Sequence, residues 1–399
     1  MRVAQINLIY KSGSIGRIEH DLHEMMIKEG ISSHIFNALD FTHSTECTSY
    51  MNILDLRISQ IENRILGNQG FGYFTKTKQM IKDIRRFQPD IIHIHNLHAF
   101  YVNCEQLFQF LYDYGKPVVW TFHDCWPFTG HCAYFDMTGC NKWKTGCGSC
   151  EFHWSVYPNS LVDRTSHFYH IKKQVFNKIS NLTIVTPSKW LADLVKQSFL
   201  SSHSIKVINN GIDLSRFKVL DKQKLKVKYG FERKKVILGV ASTGFSGRKG
   251  LADFVELSQM LSKDFQIILI GANANDKKII PNNIIALQRT ESIEQLNEYY
   301  SMADFFVNPT HEDNFPTTNL ESLACGTPVI TYPSGGSPES VSSECGFVTI
   351  RKSAREIFEA ISNNCMFSSE VCRSAAVTMY SKEKFAKEYI NLYRQLVKA

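Results

Sequence analysis

Short apolar runs alternate with longer amphipathic stretches along most of this chain. Val3 to Ile9 (broken by Gln5 and Asn7), Ser33 to Phe36, Ile91 to His95, Val118 to Phe122 and Thr183 to Thr186 have the length and composition of buried strands. Between them apolar residues recur at helical spacing near Ile18 to Glu29, around Thr75 to Phe87, at Asn103 to Tyr114 and at Thr165 to Lys178. Such alternation predicts a parallel sheet wrapped by helices. The pattern then restarts, with strands at Val236 to Ala241, Phe265 to Ile270, Ile284 to Ala286, Phe305 to Val307 and Pro328 to Thr331. Helices are expected at Leu251 to Leu261, Ile293 to Met302, Thr318 to Ala324 and Ala354 to Asn363. The join is Ile205 to Phe217, IKVINNGIDLSRF, where Asn-Asn-Gly signals a turn after a short strand. The chain closes on a helical stretch, Lys382 to Leu396, with Phe385, Tyr389, Leu392 and Tyr393 on one face. The expectation is an α/β protein of two doubly wound domains facing a cleft, residues 1–215 and 216–380, with a final helix over 381–399.

Composition changes this little. A length of 399 residues suits two domains better than one core, and 43% hydrophobic with 21% charged positions is ordinary for a globular protein. No apolar run approaches the ~18 residues that span a bilayer, and Met1 to Tyr10 reads as a strand and not a signal peptide, so a cytoplasmic protein is expected. A formal charge of +7 favours anionic surfaces without calling for nucleic acid. Lys76, Lys78, Lys82, Arg85 and Arg86 gather on a helical stretch that also carries Phe74, Met80, Ile81 and Ile84. One reading is a basic amphipathic helix lying on anionic lipid, which would make the protein peripheral on the inner face of the cell membrane; the other is a solvated helix face packed normally on the sheet.

Candidate chemistry concentrates in Phe305 to Ile330, FFVNPTHEDNFPTTNLESLACGTPVI. A buried strand leads into a loop with Glu312 and Asp313, then into a short helix carrying Glu321 and ending at Gly326. Two carboxylates thus fall at the carboxyl end of a parallel strand beside a helix N-terminus, where open α/β sheets bind ligands and free N–H groups accept anions. Carboxylates suit a ligand rich in hydroxyls and N–H groups suit phosphate; a nucleotide sugar has both. Thr318 to Glu321 also fits a capping box, in which the Glu merely secures the helix start.

The whole string, with Ala-Cys-Gly-Thr-Pro and then Gly335 to Glu339 (GGSPE), resembles the retaining glycosyltransferases of family 4, whose fold is called GT-B. Their signature is an acid, seven residues and a Glu, which places Asp313 first and Glu321 second; family members usually carry Glu at the first place, and Glu312 lies just before Asp313. Val207 to Asp213 (VINNGID) and Val185 to Leu194 (VTPSKWLADL) look like family segments near the domain boundary. The resemblance implies that Asp313 and Glu321 are catalytic, that Glu312, Asn314, Phe315, Thr317 and Thr318 contact the donor's sugar and nucleotide, and that the last helix packs back on the first domain.

After the strand ending at Ala241 comes STGFSGRKGL, where Gly244, Gly247 and Gly250 free the backbone and Arg248 and Lys249 supply charge at a helix N-terminus for a donor diphosphate. The bland alternative is exposed charge in a turn. The family usually places an Arg where Gly244 stands. No Asp-x-Asp is present to hold a divalent metal, and with these cations no cofactor is required for catalysis. In the first domain, Trp120 to Asp124 (WTFHD) matches the family's TFH segment, whose His, here His123, contacts the donor sugar. His93, His95 and His98 crowd the neighbouring strand end; His93 and His95 share a face, so at least one reads as a core histidine, while His98 could reach an acceptor. Gly16, in the Lys11 to Gly16 turn, would let backbone approach the diphosphate, or serves packing alone.

Of 11 cysteines, Cys125, Cys132, Cys140, Cys147 and Cys150 fall in one loop, residues 125–150. Cys147-Gly-Ser-Cys150 has the knuckle spacing of structural zinc, and Cys132 with Cys140 could complete four thiolates; reduced thiols and a redox pair are the alternatives. The combined expectation is a retaining transferase that moves a sugar from a nucleoside-diphosphate sugar to an oligosaccharide or polyprenyl-diphosphate-linked acceptor, in the exopolysaccharide and O-antigen branch. A nucleotide-sugar epimerase or hydrolase, and a non-catalytic nucleotide-sugar-binding protein, are the rival readings. A dinucleotide-dependent dehydrogenase is disfavoured, since no strand is followed by Gly-x-Gly-x-x-Gly with an acid about 20 residues later.

Overall fold

The structure is a computed structural model describing residues 1–98, 100–242, 244–245, 247–363 and 367–398. The chain forms two compact units: Met1–Asn209 with Phe385–Ala399, and Asn210–Lys384.

In the first unit seven strands, β1 (Arg2–Ile9), β2 (Ser32–Leu39), β3 (Cys47–Ser49), β4 (Ile91–Ile94), β5 (Val118–Thr121), β6 (Leu182–Thr186) and β7 (Ser204–Val207), form one sheet in the order β3-β2-β1-β4-β5-β6-β7. Every pairing is parallel. The order reverses between β1 and β4, which makes the carboxyl ends of β1, β4 and β5 the natural binding edge. The connecting helices are α1 (Gly13–Lys28), α2 (Ile53–Leu66), α3 (Phe74–Phe87), α4 (Cys104–Tyr114), α5 (Thr165–Phe176) and α6 (Lys189–Lys196). The α1 helix starts five residues earlier than its apolar pattern suggests. Gly16 makes this fit: a Cβ there would sit 2.5 Å from the Ile9 carbonyl oxygen, so the glycine lets the helix press against the end of β1.

The second unit repeats the scheme with β8 (Lys235–Val240), β9 (Phe265–Ile270), β10 (Ile284–Leu287), β11 (Phe305–Asn308), β12 (Val329–Thr331) and β13 (Gly346–Val348), in the order β10-β9-β8-β11-β12-β13, again parallel throughout. Its helices are α7 (Lys222–Tyr229), α8 (Leu251–Met260), α9 (Ile293–Met302), α10 (Thr317–Ala324), α11 (Ala354–Ser362) and α12 (Ser369–Tyr380). The switch point lies between β8 and β11, the strands that lead into the basic turn and the acidic loop.

The last helix, α13 (Lys382–Lys398), begins in the second unit, where Lys382 Nζ meets Asp213 Oδ2 at 2.7 Å, and continues on the first. There Phe385, Tyr389, Ile390 and Tyr393 join Val3, Ile18, Leu22 and Val119 in one buried cluster. Two hydroxyls of α13 reach the central strands, Tyr389 to Thr121 Oγ1 at 2.8 Å and Tyr393 to His93 Nδ1 at 2.7 Å. Among the described residues no helix is long and apolar enough to cross a membrane.

Candidate functional site

In the second unit the backbone brings the basic turn onto the acidic loop. Gly250, at φ +76°, caps the start of α8, and a Cβ there would lie 2.3 Å from the Pro309 carbonyl oxygen; only a glycine lets Gly247–Lys249 lie this close to the end of β11. Arg248 accepts the N–H of His311 on its carbonyl (2.7 Å) and donates from Nη1 to the Glu312 carbonyl (2.8 Å). Lys249 Nζ meets Asp313 Oδ2 at 2.5 Å. Burial alone would raise the Asp313 carboxyl, but Lys249, Arg248 and the Asn314 N–H outweigh it and hold it below the usual carboxylate range. Arg248 and Lys249 are therefore anchored into this loop and are not loose charges of a turn. Glu312 is buried and offers its carbonyl to Arg248 and to Thr310 Oγ1, so Asp313 is the acid that meets the lysine.

The α10 helix starts at Thr317 with Pro316 as its N-cap and no capping side chain. Glu321 does not close a capping box; its Oε2 accepts from Tyr300 Oη at 2.8 Å, and the residue is 3% exposed. Thr317 and Thr318 remain partly exposed at the helix start, while Asn314 and Phe315 are buried, with the Phe315 carbonyl taken by Asn210 Nδ2 at 3.0 Å. Beneath the loop, Gly335 sits at φ +56°, where a Cβ would fall 1.8 Å from the Asp313 carbonyl oxygen, and the Gly336 N–H donates to that oxygen at 3.2 Å. Asn319 ties the helix start to Ser337 and Ser340. Asp253 holds His311 and Tyr332 at 2.8 and 2.6 Å. The Gly-Gly-Ser-Pro-Glu string is thus the floor of the acidic loop, a role its composition does not disclose, and Tyr300 carries no sequence signal at all.

In the first unit His123 follows β5 and stacks on His95, with Nε2 3.1 Å from His95 Nδ1. Burial, opposed by Asp124 and aided by His98, lowers its pKa to about 4, so the imidazole is neutral at physiological pH. His98 Nε2 lies 2.8 Å from Asp124 Oδ2, and the Asp124 Oδ1 accepts the Trp126 N–H. His93 is a core histidine: both ring nitrogens are engaged, by Thr121 and Tyr393, and burial lowers its pKa to about 3. Lys172 of α5, buried and unforeseen, donates to the Trp126 and Thr129 carbonyls and lies 3.4 Å above the Trp126 ring, fixing the turn after His123. Gly16 lies against the Ile9 carbonyl at the carboxyl end of β1.

Cys132, Cys140, Cys147 and Cys150 are all free and half-buried. Cys132 shares a hydrogen bond with Cys150, which favours the thiol at Cys132 and the thiolate at Cys150, while the Gly130 N–H meets Cys147 Sγ at 3.2 Å. Among the described residues no group of three or more His, Cys, Asp or Glu side chains is placed to hold a metal ion, so the zinc expectation finds no support in this geometry. On the membrane expectation, α3 buries Thr77, Met80 and Ile84 and turns its lysines outward, as a helix packed normally on its sheet does.

Two parallel doubly wound units are the architecture of the GT-B class of sugar-transferring enzymes. The chain belongs to glycosyltransferase family 4, whose model, described as Glycosyltransferase Family 4, matches residues 15–216; a second model, Glycosyl transferases group 1, matches residues 234–365. It is 26% identical, over 99% of its own length and all of the relative's, to the Escherichia coli (strain K12) protein WcaC, which carries the name of a colanic acid biosynthesis glycosyl transferase. It is 24% identical to the N,N'-diacetylbacillosaminyl-diphospho-undecaprenol alpha-1,3-N-acetylgalactosaminyltransferase of Campylobacter jejuni, covering 61% of this chain and 71% of that one. Among solved structures, Anabaena Alr3699/HepE in complex with UDP superposes with a TM-score of 0.70 at 14% identity, over 99% of this chain and 100% of the other.

Proposed function

We propose that this chain is a retaining glycosyltransferase that moves a sugar from a nucleoside-diphosphate donor to a lipid-linked oligosaccharide during surface-polysaccharide assembly. The observation that carries the reading is the Lys249–Asp313 pair at the end of β11, beside the uncapped start of α10 and the buried Glu321. A departing diphosphate gains negative charge while the sugar carbon gains positive charge, and a site prearranged with cations on one side and carboxylates on the other stabilises both. Lys249 would turn from Asp313 to the diphosphate as it binds, with Arg248 and the first-turn N–H groups of α10 beside it. Asp313 and Glu321 would orient sugar hydroxyls. His123, neutral, would hydrogen-bond the donor sugar, and His98 would lie toward the acceptor. In the front-face course the acceptor oxygen bonds to the anomeric carbon on the side from which the diphosphate leaves, the carbon–phosphate-oxygen bond breaks, and the acceptor proton passes to that phosphate oxygen. No enzymic nucleophile is needed. The surface-polysaccharide setting draws support from the name that WcaC carries, the lipid-linked acceptor from that of the Campylobacter transferase, and the UDP-sugar type of donor from HepE, whose structures include one in complex with UDP-glucose.

The test is turnover with a panel of nucleotide sugars and a polyprenyl-diphosphate oligosaccharide. Lys249→Ala and Glu321→Ala should each lower kcat by ~10²-fold or more, and the product should keep the donor's anomeric configuration by NMR. Near-wild-type rates in either variant, or an inverted product, refute the assignment.

A further inference from the structure

In the first unit a cavity of about 10 Å³, room for a single water molecule, has His95, His98, His123 and Asp124 in its wall. Two of these rings carry a nitrogen that lacks a partner. His95 Nε2 and His98 Nδ1 are buried and make no hydrogen bond among the described residues. Their other nitrogens are engaged, His95 Nδ1 with His123 Nε2 at 3.1 Å and His98 Nε2 with Asp124 Oδ2 at 2.8 Å. The backbone that presents them is pinned, since Trp120 Nε1 donates to the His95 carbonyl at 2.9 Å and the Tyr101 hydroxyl to the Asn96 carbonyl at 2.8 Å. A buried polar atom left unpaired costs about 1–3 kcal/mol, and one water between the two nitrogens would remove both penalties.

The carboxylate sets the direction of the protons. Burial alone would raise the Asp124 pKa, yet His98 and the Trp126 N–H hold it below the usual carboxylate range, so the group is ionised and can only accept. A neutral His98 must then carry its proton on Nε2 and present a lone pair at Nδ1. A water in the cavity would donate to that lone pair. Hydrogen bonds in a chain polarise one another, and a carboxylate at one end favours the order in which every donor points toward it. His95, kept neutral by burial, would then donate from Nε2 to the water and accept on Nδ1, and His123 would donate from Nε2.

We propose that Asp124, His98, one buried water and His95 form a directed relay that fixes His123 as its Nε2–H tautomer, which makes Asp124, His98 and His95 positioning residues for sugar transfer. The tautomer stands on the first unit alone. Its purpose rests on the reading given above, in which His123 meets the donor sugar; in this tautomer Nδ1 is a lone pair suited to a sugar hydroxyl. Both nitrogens of His98 are used inside the relay, so its part in transfer runs through His123.

The experiment is nitrogen-15 NMR at neutral pH on the full chain labelled in its histidine rings, beside turnover of the same preparations. The signals of His95, His98 and His123 are assigned by their loss in His95→Gln, His98→Gln and His123→Gln. In the wild type all three rings should carry their proton on Nε2 with Nδ1 bare. Asp124→Asn, which keeps the shape but loses the charge, should bring His123 to a mixture of tautomers and lower kcat roughly tenfold; His98→Gln should shift the His123 signals likewise. A proton on Nδ1 of His123, or protons on both nitrogens of His98, overturns the relay without need of any variant. So do His123 signals that neither substitution moves. A His123 that changes tautomer in Asp124→Asn with kcat unaltered removes the positioning role. Wild-type protein that shows the three Nε2–H rings but transfers no sugar overturns the reading of the active site and leaves the relay standing.

Discussion

The contact between Lys249 and Asp313 couples two residues that the sequence offers for different tasks, a cation for phosphate and a carboxylate for hydroxyls. At 2.5 Å and largely buried, the two charges neutralise each other. The position of Asp313 depends in turn on Gly335. Replacing that glycine by alanine puts a methyl group against the Asp313 carbonyl, at a φ of +56° that side chains rarely adopt, so the loop must shift. Gly335→Ala should lower unfolding free energy by about 1–3 kcal/mol and reduce kcat/KM by more than its loss of folded protein explains. Urea denaturation and turnover on the same preparation check both, and unchanged turnover would detach Asp313 from the chemistry. The placement of Asp313 after β11, of Glu321 on α10 and of Arg248 and Lys249 in the turn after β8 follows from the strand-loop-helix pattern of the sequence. The parts of Tyr300, Gly335 and Lys172 do not, because each acts through a contact made far along the chain, and nothing local in the sequence encodes it.

At the scale of elements, strands with apolar runs and helices with inward stripes stand where periodicity places them, whereas α2, α7 and α12 have no counterpart among the expected elements. The α2 helix is among these although its apolar residues recur at helical spacing, Asn52 caps it with Asp55 closing the box, and Gly67 ends it at φ +63°. The lysine-rich α7 begins on the Asp221 cap and buries little beyond Leu225 and Lys226, while α12 begins on Ser368 and buries the small or polar-tipped Cys372, Ala376 and Tyr380 along one face. The α13 helix is the opposite case, its buried face plain in the sequence. What the sequence does not give is that its tyrosines complete the polar core under the histidines. Tyr393→Phe would leave His93 Nδ1 buried without its partner, which should lower stability by about 1–3 kcal/mol while leaving unaltered the nucleotide binding proposed for the second unit. Urea melts and a nucleotide titration separate those outcomes.

Across the whole molecule the buried titratable groups are unevenly shared. Burial lowers the pKa of His93 to about 3 and of His123 and His131 to about 4, and all three belong to the first unit. In the unfolded chain they titrate near 6.5, so between about pH 6.5 and 4 the unfolded state binds more protons and folding loses stability as pH falls. Each pKa unit is worth about 1.4 kcal/mol, although His93 and His123 interact and their contributions do not simply add. Glu19, fully buried against Asn7, acts in the other direction: burial raises its pKa to about 8, so its contribution is complete in acid and is lost as pH climbs from its unfolded value through 8. It offsets part of the histidine loss. In the second unit the Asp313 carboxyl, held low by Lys249, keeps its contribution until pH falls below the ordinary carboxylate range. Acid should therefore loosen the first unit before the second. All five tryptophans, Trp120, Trp126, Trp143, Trp154 and Trp190, lie in the first unit, so tryptophan fluorescence follows that unit alone. Its melting temperature should hold near pH 7 and drop by ~10 °C between pH 6.5 and 4.5, while far-UV circular dichroism keeps a later transition from the second unit. If the two signals melt together at every pH in that window, the buried histidines do not govern the first unit's stability.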